Sequence, residues 1–486
     1  MKSQTALFSK LVKDSMRPSV PVVTLGSTCA AAVAAMQDGD CSAVIILDAE
    51  NAPVGILTEQ DVARRITFNL EEDTPIDDVM TAPVQTINET EFLFHAVAVM
   101  RRGNIRHMPV LGEKGGVSGL LRLKDALFSV DERLMQQIDA LTRDENVDGF
   151  IEIKQAQIDL AAQLMEEHVP VPEILALLTQ INSDIYHRVT DSSISHMEVI
   201  GKGSPPVDFS VIVMGSGGRG ENFIFPDQDN GLILDDYPDD QHTKIDAWFI
   251  EFSEHLTITM DRIGFPLCTG HVMATNPLWR KTRKQWREQV DLWSRKRNTT
   301  ALRLCDILFD FRSVWGENNF GAELRRHITE VCQRNKSFLR DMEAEDQDNG
   351  IALGFFDRFI TAKDDDEHKG MINLKQSGSL PLIEAVRLVS LREGNEVLST
   401  LGRIDTLLMQ GHLDRDEHDY LSGSYHHIVD LILYHQIKAF RAGEKVSYFI
   451  EPDCMTMREK DILVDSFKTI RRYRDRVRSE FSGDIF

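Results

Sequence analysis

Two apolar periodicities divide this chain. Up to about residue 130, short β-branched runs such as residues 42–47 stand between amphipathic helical stretches, the pattern of small sheets covered by helices. That pattern is written twice. A shift of 64 residues places Met16 on Met80, Met36 on Met100, Gly39 on Gly103, Gly55 on Gly119 and Asp61 on Asp125, so residues 16–70 and 80–130 read as two copies of one unit. Each copy has an opening loop, a helix ending at MQDGD or MRRGN, an alternating apolar strand, a glycine turn, then a strand and a helix. The copies form one module, because neither small sheet can bury its apolar face alone.

Helical spacing dominates after residue 130. Residues 151–168 fit one helix, Val169-Pro-Val-Pro172 breaks it, and another begins at Glu173, so residues 131–197 are expected to be a helical linker region. Apolar spacing in residues 380–391, 397–409 and 428–440 predicts a helical bundle over 343–486. The charge alternation of residues 458–478 predicts a final helix with one solvated face.

Between these helical regions lies FSVIVMGSGGRGENFIFPDQDNGLILDD, residues 209–236. Residues 210–214 form a β-branched run, a buried strand, and Gly215-Ser216 ends it where backbone N–H groups become available to phosphate oxygens. Asp227 and Asp229 are expected to open a second strand. Positions i and i+2 of a strand face the same way, so the carboxylates share one spot, and a like-charged pair that close calls for a cation between them. Magnesium is the natural divalent candidate. Gly215-Ser-Gly217-Gly-Arg-Gly220 also satisfies the dinucleotide fingerprint, with Asp235 20 residues beyond Gly215. Only ten residues separate Gly220 from Gly231, and Pro226 interrupts them, so no crossover helix fits. A Walker loop is excluded by the lack of Gly-Lys-Ser/Thr. Ordinary hairpin turns also use glycine and aspartate, and either half of the motif alone would be unremarkable.

Gly215-Ser216, Arg219, Glu221 and Asp227-Gln228-Asp229 resemble the signature of the nucleotidyltransferase superfamily. The branch most similar is the domain resembling the uridylyltransferase of the PII nitrogen-signalling protein, through Cys268-Thr-Gly270-His-Val272-Met-Ala274-Thr-Asn276-Pro-Leu-Trp279 and Phe309-Asp310-Phe311-Arg312 ahead of Val314-Trp-Gly316. The resemblance implies that Gly215 and Ser216 grip the triphosphate, that Arg219 adds a cationic contact, and that Asp227 and Asp229 bind Mg²⁺ (or Mn²⁺) and are the catalytic pair. It further implies transfer of a nucleoside monophosphate from an NTP to an acceptor hydroxyl, on a signalling protein such as a PII-like one. Many members carry a third acid on a later strand. Around residues 267–272 this chain offers Cys268 and His271 instead, with Asp310 the candidate, which keeps open a non-catalytic, nucleotide-binding regulator. The resemblance extends to a C-terminal substrate-binding domain through Asn373-Leu-Lys375 and Pro381-Leu-Ile-Glu-Ala-Val-Arg387, so Lys375 and Arg387 are candidates to reach the nucleotide.

The repeated module resembles a tandem pair of cystathionine-β-synthase (CBS) domains, which implies an adenine-nucleotide ligand (AMP or ATP) and a homodimer. In the first copy, Gly55-Ile-Leu-Thr58-Glu-Gln-Asp61 matches the ligand signature, with Thr58 for phosphate and Asp61 for ribose; in the second, Arg122 replaces the hydroxyl residue ahead of Asp125. The fold class expected is α/β in the broad sense, a multi-domain α+β chain. It comprises a CBS pair (1–130), a helical linker (131–197), a small nucleotidyltransferase-type mixed sheet with flanking helices (198–342) and a C-terminal helical substrate-binding bundle (343–486).

Composition bounds this picture. At 486 residues the chain has room for about three domains. A net charge of −23 argues against nucleic-acid binding. The basic stretch after Trp279 spaces Trp279, Trp286 and Trp293 by seven, which reads first as a packing stripe on one helix face with solvated cations behind it; the alternatives are an RNA-binding face and cations turned to the triphosphate or an acidic partner. Six cysteines without C-x-x-C spacing predict reduced thiols, and the histidines, His426, His427 and His435 included, show no ligand spacing. The lack of a membrane-length apolar run or a signal-peptide core leads to the expectation of a cytoplasmic protein.

Overall fold

The structure, a computed structural model, describes residues 10–39, 41–62, 74–103, 105–112, 115–126, 147–346, 350–363 and 367–483. The chain divides into two compact units, Met1–Arg143 and Asp144–Phe486.

In the first unit the 64-residue repeat is structural. β1 (Val22–Thr24), α1 (Cys29–Asp38), β2 (Ala43–Leu47) and β3 (Pro53–Thr58) are answered by β4 (Ile87–Asn88), α2 (Leu93–Arg102), β5 (His107–Leu111) and β6 (Val117–Arg122). Each copy makes a three-stranded sheet, β1-β2-β3 or β4-β5-β6, with the first pair parallel and the second antiparallel. The alternation expected in residues 42–47 is absent, because all of β2 is buried. Val44 and Ile46 pack with Cys29, Ala32 and Met36 of α1, whereas Ala43, Ile45 and Leu47 pack with Leu120 of the other copy. Burial on both faces removes the need for a polar one.

The copies also exchange their opening segments. Arg17 and Leu120 exchange backbone hydrogen bonds at 2.9 Å each, and Thr81 and Ile56 do the same at 2.9 and 3.1 Å. Met16 thereby lies on Gly119 and Met80 on Gly55, where a Cβ would collide with each thioether. Two of the five sequence coincidences are thus one contact made crosswise.

The second unit begins with α3 (Val147–Glu166) and α4 (Val171–Val199). These are not a free linker: α3 and α4 pack on each other and α4 packs along the sheet within this unit, while residues 131–146 lie outside the described residues. The sheet contains β7 (Phe209–Met214), β8 (Asn230–Leu234), β9 (Arg280–Thr282) and β10 (Phe311–Gly316) in the order β10-β7-β8-β9. β7 is antiparallel to both neighbours and β8 is parallel to β9, a mixed sheet. Between β7 and β8 the chain forms only α5 (Gly215–Arg219), too short for a crossover.

Around the sheet run α6 (His242–Ile263), α7 (Arg283–Lys296), α8 (Thr299–Leu308) and α9 (Asn318–Arg334). Trp286 and Trp293 lie on α7, but Trp279 belongs to the preceding turn; all three are buried, with ring centroids 6.2 and 6.3 Å from Trp279. After α10 (Lys336–Asp346) and the short β11 (Ile372–Asn373), the bundle continues with α11 (Leu380–Arg392), α12 (Thr400–Met409) and α13 (Arg415–Arg441). The pair β11–β12 (Phe449–Ile450) and α14 (Met457–Gly483) complete it. α11 is its axis, with every residue from Pro381 to Leu391 buried. Asp414 and Glu417 form a capping box that starts α13 well before the apolar run at 428–440. Among the described residues no helix is long and apolar enough to cross a membrane, and the six cysteines are free thiols.

Candidate active site

Asp227 and Asp229 lie in the loop just before β8, which begins at Asn230, rather than opening the strand as expected. The intervening Gln228 is fully buried and donates from Nε2 to the carbonyls of Phe265 at 2.8 Å and Thr257 at 3.1 Å. Anchoring the middle residue inward turns both flanking carboxylates the other way. Asp229 O accepts from Met214 N at 2.8 Å, which ties the pair to the end of β7.

The segment 268–279 docks on the same loop through Asn230. Its Oδ1 accepts from Ala274 N at 2.9 Å, while its backbone N donates to Val272 O at 3.0 Å. This brings Cys268 beside the aspartates. One ligand atom from each of Asp227, Asp229 and Cys268 falls within 4.8 Å of the others. Burial and the neighbouring Asp227 push the Asp229 carboxyl up to about 6. Burial and Asp229 push the Cys268 thiol up to about 12, so the sulfur stands as a neutral donor to the carboxylate. Two crowded carboxylates are a donor set that fits a hard divalent cation, with a protonated thiol beside them. His271 is exposed and outside the cluster.

Gly215 has φ +58 and opens α5, and a Cβ there would stand 3.2 Å from Asp229 Oδ2. Any side chain would be strained in that conformation and would press on the carboxylate. Ser216 follows, its Oγ donating to Asn222 Oδ1 at 3.0 Å. Ser216, Asp227 and Asp229 line a cavity with Asn182, Tyr186 and Asn222 that encloses about 20 Å³. That space suits one ion or water-sized group, so a base and sugar would lie outside it.

Arg219 does not face this cavity. Its Nε donates to Glu221 at 2.7 Å and its Nη1 to Asp310 at 2.9 Å, and all three side chains are buried. Asp310, the candidate third acid, is likewise committed elsewhere. It accepts from Arg219, from Arg387 at 2.8 Å and from Arg403 at 2.6 Å. Burial alone would raise its carboxyl, but Arg403 and Arg219 hold it below the usual range. Arg387 is consumed in the same cluster, where it also pairs with Asp306. Lys375, in the turn ahead of α11, is a cation whose charge reaches the aspartates, with that of Arg219 also felt at Asp229. Tyr448, Asp227 and Asp229 hold its ammonium above the usual range despite burial, and it lies 4.5 Å from the Tyr448 ring centroid.

In the repeated module, Thr58 and Asp61 close on each other: Thr58 Oγ1 donates to Asp61 at 2.7 Å and Asp61 N returns a bond at 3.4 Å. Asp125 contacts Arg122 in the second copy. A cleft of about 600 Å³ is lined by Arg17, Arg122 and Lys124 with Glu59, Ser42 and Gln37 among its other residues. The Glu59 and Val62 side of the first signature, rather than Thr58 or Asp61, borders it.

Comparison with known proteins follows the same divisions. Residues 12–67 and 76–132 each match the CBS domain, residues 155–300 match the family described as "Putative nucleotidyltransferase DUF294", and residues 336–481 match its "Putative nucleotidyltransferase substrate binding domain". An uncharacterized 17.7 kDa protein of Acidianus ambivalens is 29% identical over 118 residues, 24% of this chain and 71% of that protein. An uncharacterized protein of Methanopyrus kandleri is 27% identical over 19% of this chain and 48% of its own length. A CBS domain-containing protein of Arabidopsis thaliana is 34% identical over 20% of this chain and 18% of its own. The chain therefore spans half or less of the length of these last two relatives. Among solved structures, a CBS domain protein from Pyrobaculum aerophilum complexed with AMP is 19% identical over 26% of this chain and 98% of that one, with a TM-score of 0.24. The chain belongs to the proteins that join a tandem CBS pair to a DUF294 nucleotidyltransferase-type domain and its substrate-binding domain.

Proposed function

We propose that the chain transfers a nucleoside monophosphate from an NTP to an acceptor hydroxyl and releases pyrophosphate. The observation that carries this reading is the convergence of Asp227 and Asp229 beside Gly215-Ser216, with Lys375 reaching them from the C-terminal half. Asp227 and Asp229 would hold Mg²⁺ or Mn²⁺, which when bound aligns the α-phosphate and neutralises charge on the leaving pyrophosphate. Gly215 keeps the chain close to the phosphates, and Lys375 offsets their charge. Arg219, expected to make that contact, instead shapes α5 through Glu221 and Asp310. Asp227 and Asp229 are the acids that line the cavity, so the acceptor's proton passes to one of them, to phosphate or to solvent. The acceptor in this reading is a signalling protein of the PII-like kind.

The CBS pair would regulate transfer by taking AMP or ATP in its cationic cleft, and would pair two copies of the chain. The three cations there, Arg17, Arg122 and Lys124, suit a phosphate chain. A second reading, a nucleotide-binding regulator without chemistry, draws on the thiol of Cys268 and the sequestered Asp310, which leave no third acid beside the pair among the described residues.

Label transfer from each α-labelled NTP, with Mg²⁺ or Mn²⁺ and with AMP or ATP present, separates the two. A labelled acceptor that requires both aspartates, tested as Asp227→Asn and Asp229→Asn, supports transfer and names the base. Nucleotide binding with no transfer under any condition supports the regulator.

A further inference from the structure

Asn182, which lines the cavity beside Asp227 and Asp229, carries a buried amide donor with no hydrogen-bond partner among the described residues. Asn182, on α4, is 1% exposed. Its Oδ1 accepts from Gln157 Nε2 at 2.9 Å and from Lys154 Nζ at 3.3 Å, both on α3. With both of these donors on its oxygen, the amide turns its nitrogen away from Lys154 and Gln157. That nitrogen, Nδ2, is buried without a hydrogen-bond partner, and Asn182 lines the cavity with Ser216, Asp227 and Asp229. Leaving such a donor unmet is unfavourable, so an occupant of the cavity that accepts from it is favoured.

Lys154 is fixed in turn. Its Nζ donates to Ile224 O at 3.0 Å and stands 4.3 Å from the Phe265 ring centroid. One ammonium therefore holds both the Asn182 amide and the chain leading into Asp227.

The geometry points to Asn182 as a substrate-binding residue whose Nδ2 donates to a phosphate oxygen of the nucleotide, with Lys154 as the positioning residue that sets the amide's orientation. This rests on the nucleotide-site reading above. A phosphate oxygen fits the donor because it can only accept. A metal-bound water, with one lone pair on the ion and the other weakened as an acceptor, mainly presents protons instead.

Asn182→Asp tests the assignment, since it keeps an acceptor for Lys154 and Gln157 but turns a carboxylate oxygen toward the phosphates. Calorimetric binding of each of the four NTPs with Mg²⁺ to the full chain is the readout, with Mn²⁺ binding by electron paramagnetic resonance as the check on the folded site. N182D is expected to raise the nucleotide Kd at least tenfold while Mn²⁺ binding persists. A Kd within twofold of a measurable wild-type value overturns the role of Asn182 and leaves the nucleotide site standing. Failure of the wild type to bind any NTP overturns both. N182A carries the same two outcomes should N182D not fold. If Lys154 acts through Asn182, K154M/N182D binds no more weakly than N182D alone; additive losses overturn the positioning role.

Discussion

Arg387, in the middle of α11, donates from Nη1 to Asp310 Oδ2 at 2.8 Å, joining the axis of the C-terminal bundle to the start of β10. Both side chains are almost wholly buried, and Arg219 and Arg403 share the same carboxylate. Removing one partner of such a cluster leaves charge buried without compensation. Asp310→Asn is therefore expected to cost about 3–5 kcal/mol of unfolding free energy. Urea denaturation measures this, and a change below about 1 kcal/mol, the scale of an exposed pair, contradicts the structural role.

Of two cations expected at the nucleotide, Lys375 lies where its charge meets Asp227 and Asp229, whereas Arg219 is bonded to Glu221 and Asp310. Lys375→Met should weaken NTP binding by about tenfold, or ~1.4 kcal/mol, with little change in melting temperature. Arg219→Met should mainly lower stability, because Glu221 and Asp310 lose their partner. Paired calorimetry and thermal melts distinguish the two variants; equal effects on binding would restore Arg219 as a phosphate contact.

In the CBS pair the two crossed contacts differ in what they can yield. A Cβ on Gly55 meets the flexible end of Met80, whereas one on Gly119 meets the backbone carbonyl of Arg17 as well as Met16. Gly119→Ala is expected to destabilise this unit by about 1–3 kcal/mol, as overpacking does, and Gly55→Ala by clearly less. Thermal denaturation of the two variants side by side checks the order.

Lys154 has a pH signature. Burial pushes its ammonium down to about 7, well below the usual lysine value. Between about pH 7 and pH 10.4 the unfolded chain then binds more protons than the native one, so this group makes stability rise with pH, by up to about 1.4 kcal/mol per unit. Lys154→Met should flatten that part of the profile of unfolding free energy against pH. An unchanged slope would mean that Lys154 titrates normally.

The repeat, the strand before Gly215 and the D-x-D pair were legible because each is written in local spacing. A 64-residue offset, a β-branched run and an i, i+2 carboxylate pair need no knowledge of distant contacts. The length between Gly220 and Gly231 likewise excluded a crossover helix, and β7 and β8 are antiparallel neighbours. The helices of 147–199 were legible as helices, but their packing against the sheet was not, since amphipathic spacing reports that a face is buried and not against what.

The roles of single charges were decided only by the tertiary structure. Arg219 and Asp310 lie 91 residues apart, and sequence proximity to the glycine turn placed the arginine at the phosphates, whereas its guanidinium turns to a buried carboxylate. Lys375 and Asn182 come to the site from the two sides of the sequence, one in the C-terminal half and one in a helix that read as a linker. Local sequence determines which elements form and which way neighbouring residues point, because those follow from backbone geometry over a few residues. Which charge meets which is set by long-range packing, where burial makes an unpaired group too costly to leave and so selects partners that no local spacing announces.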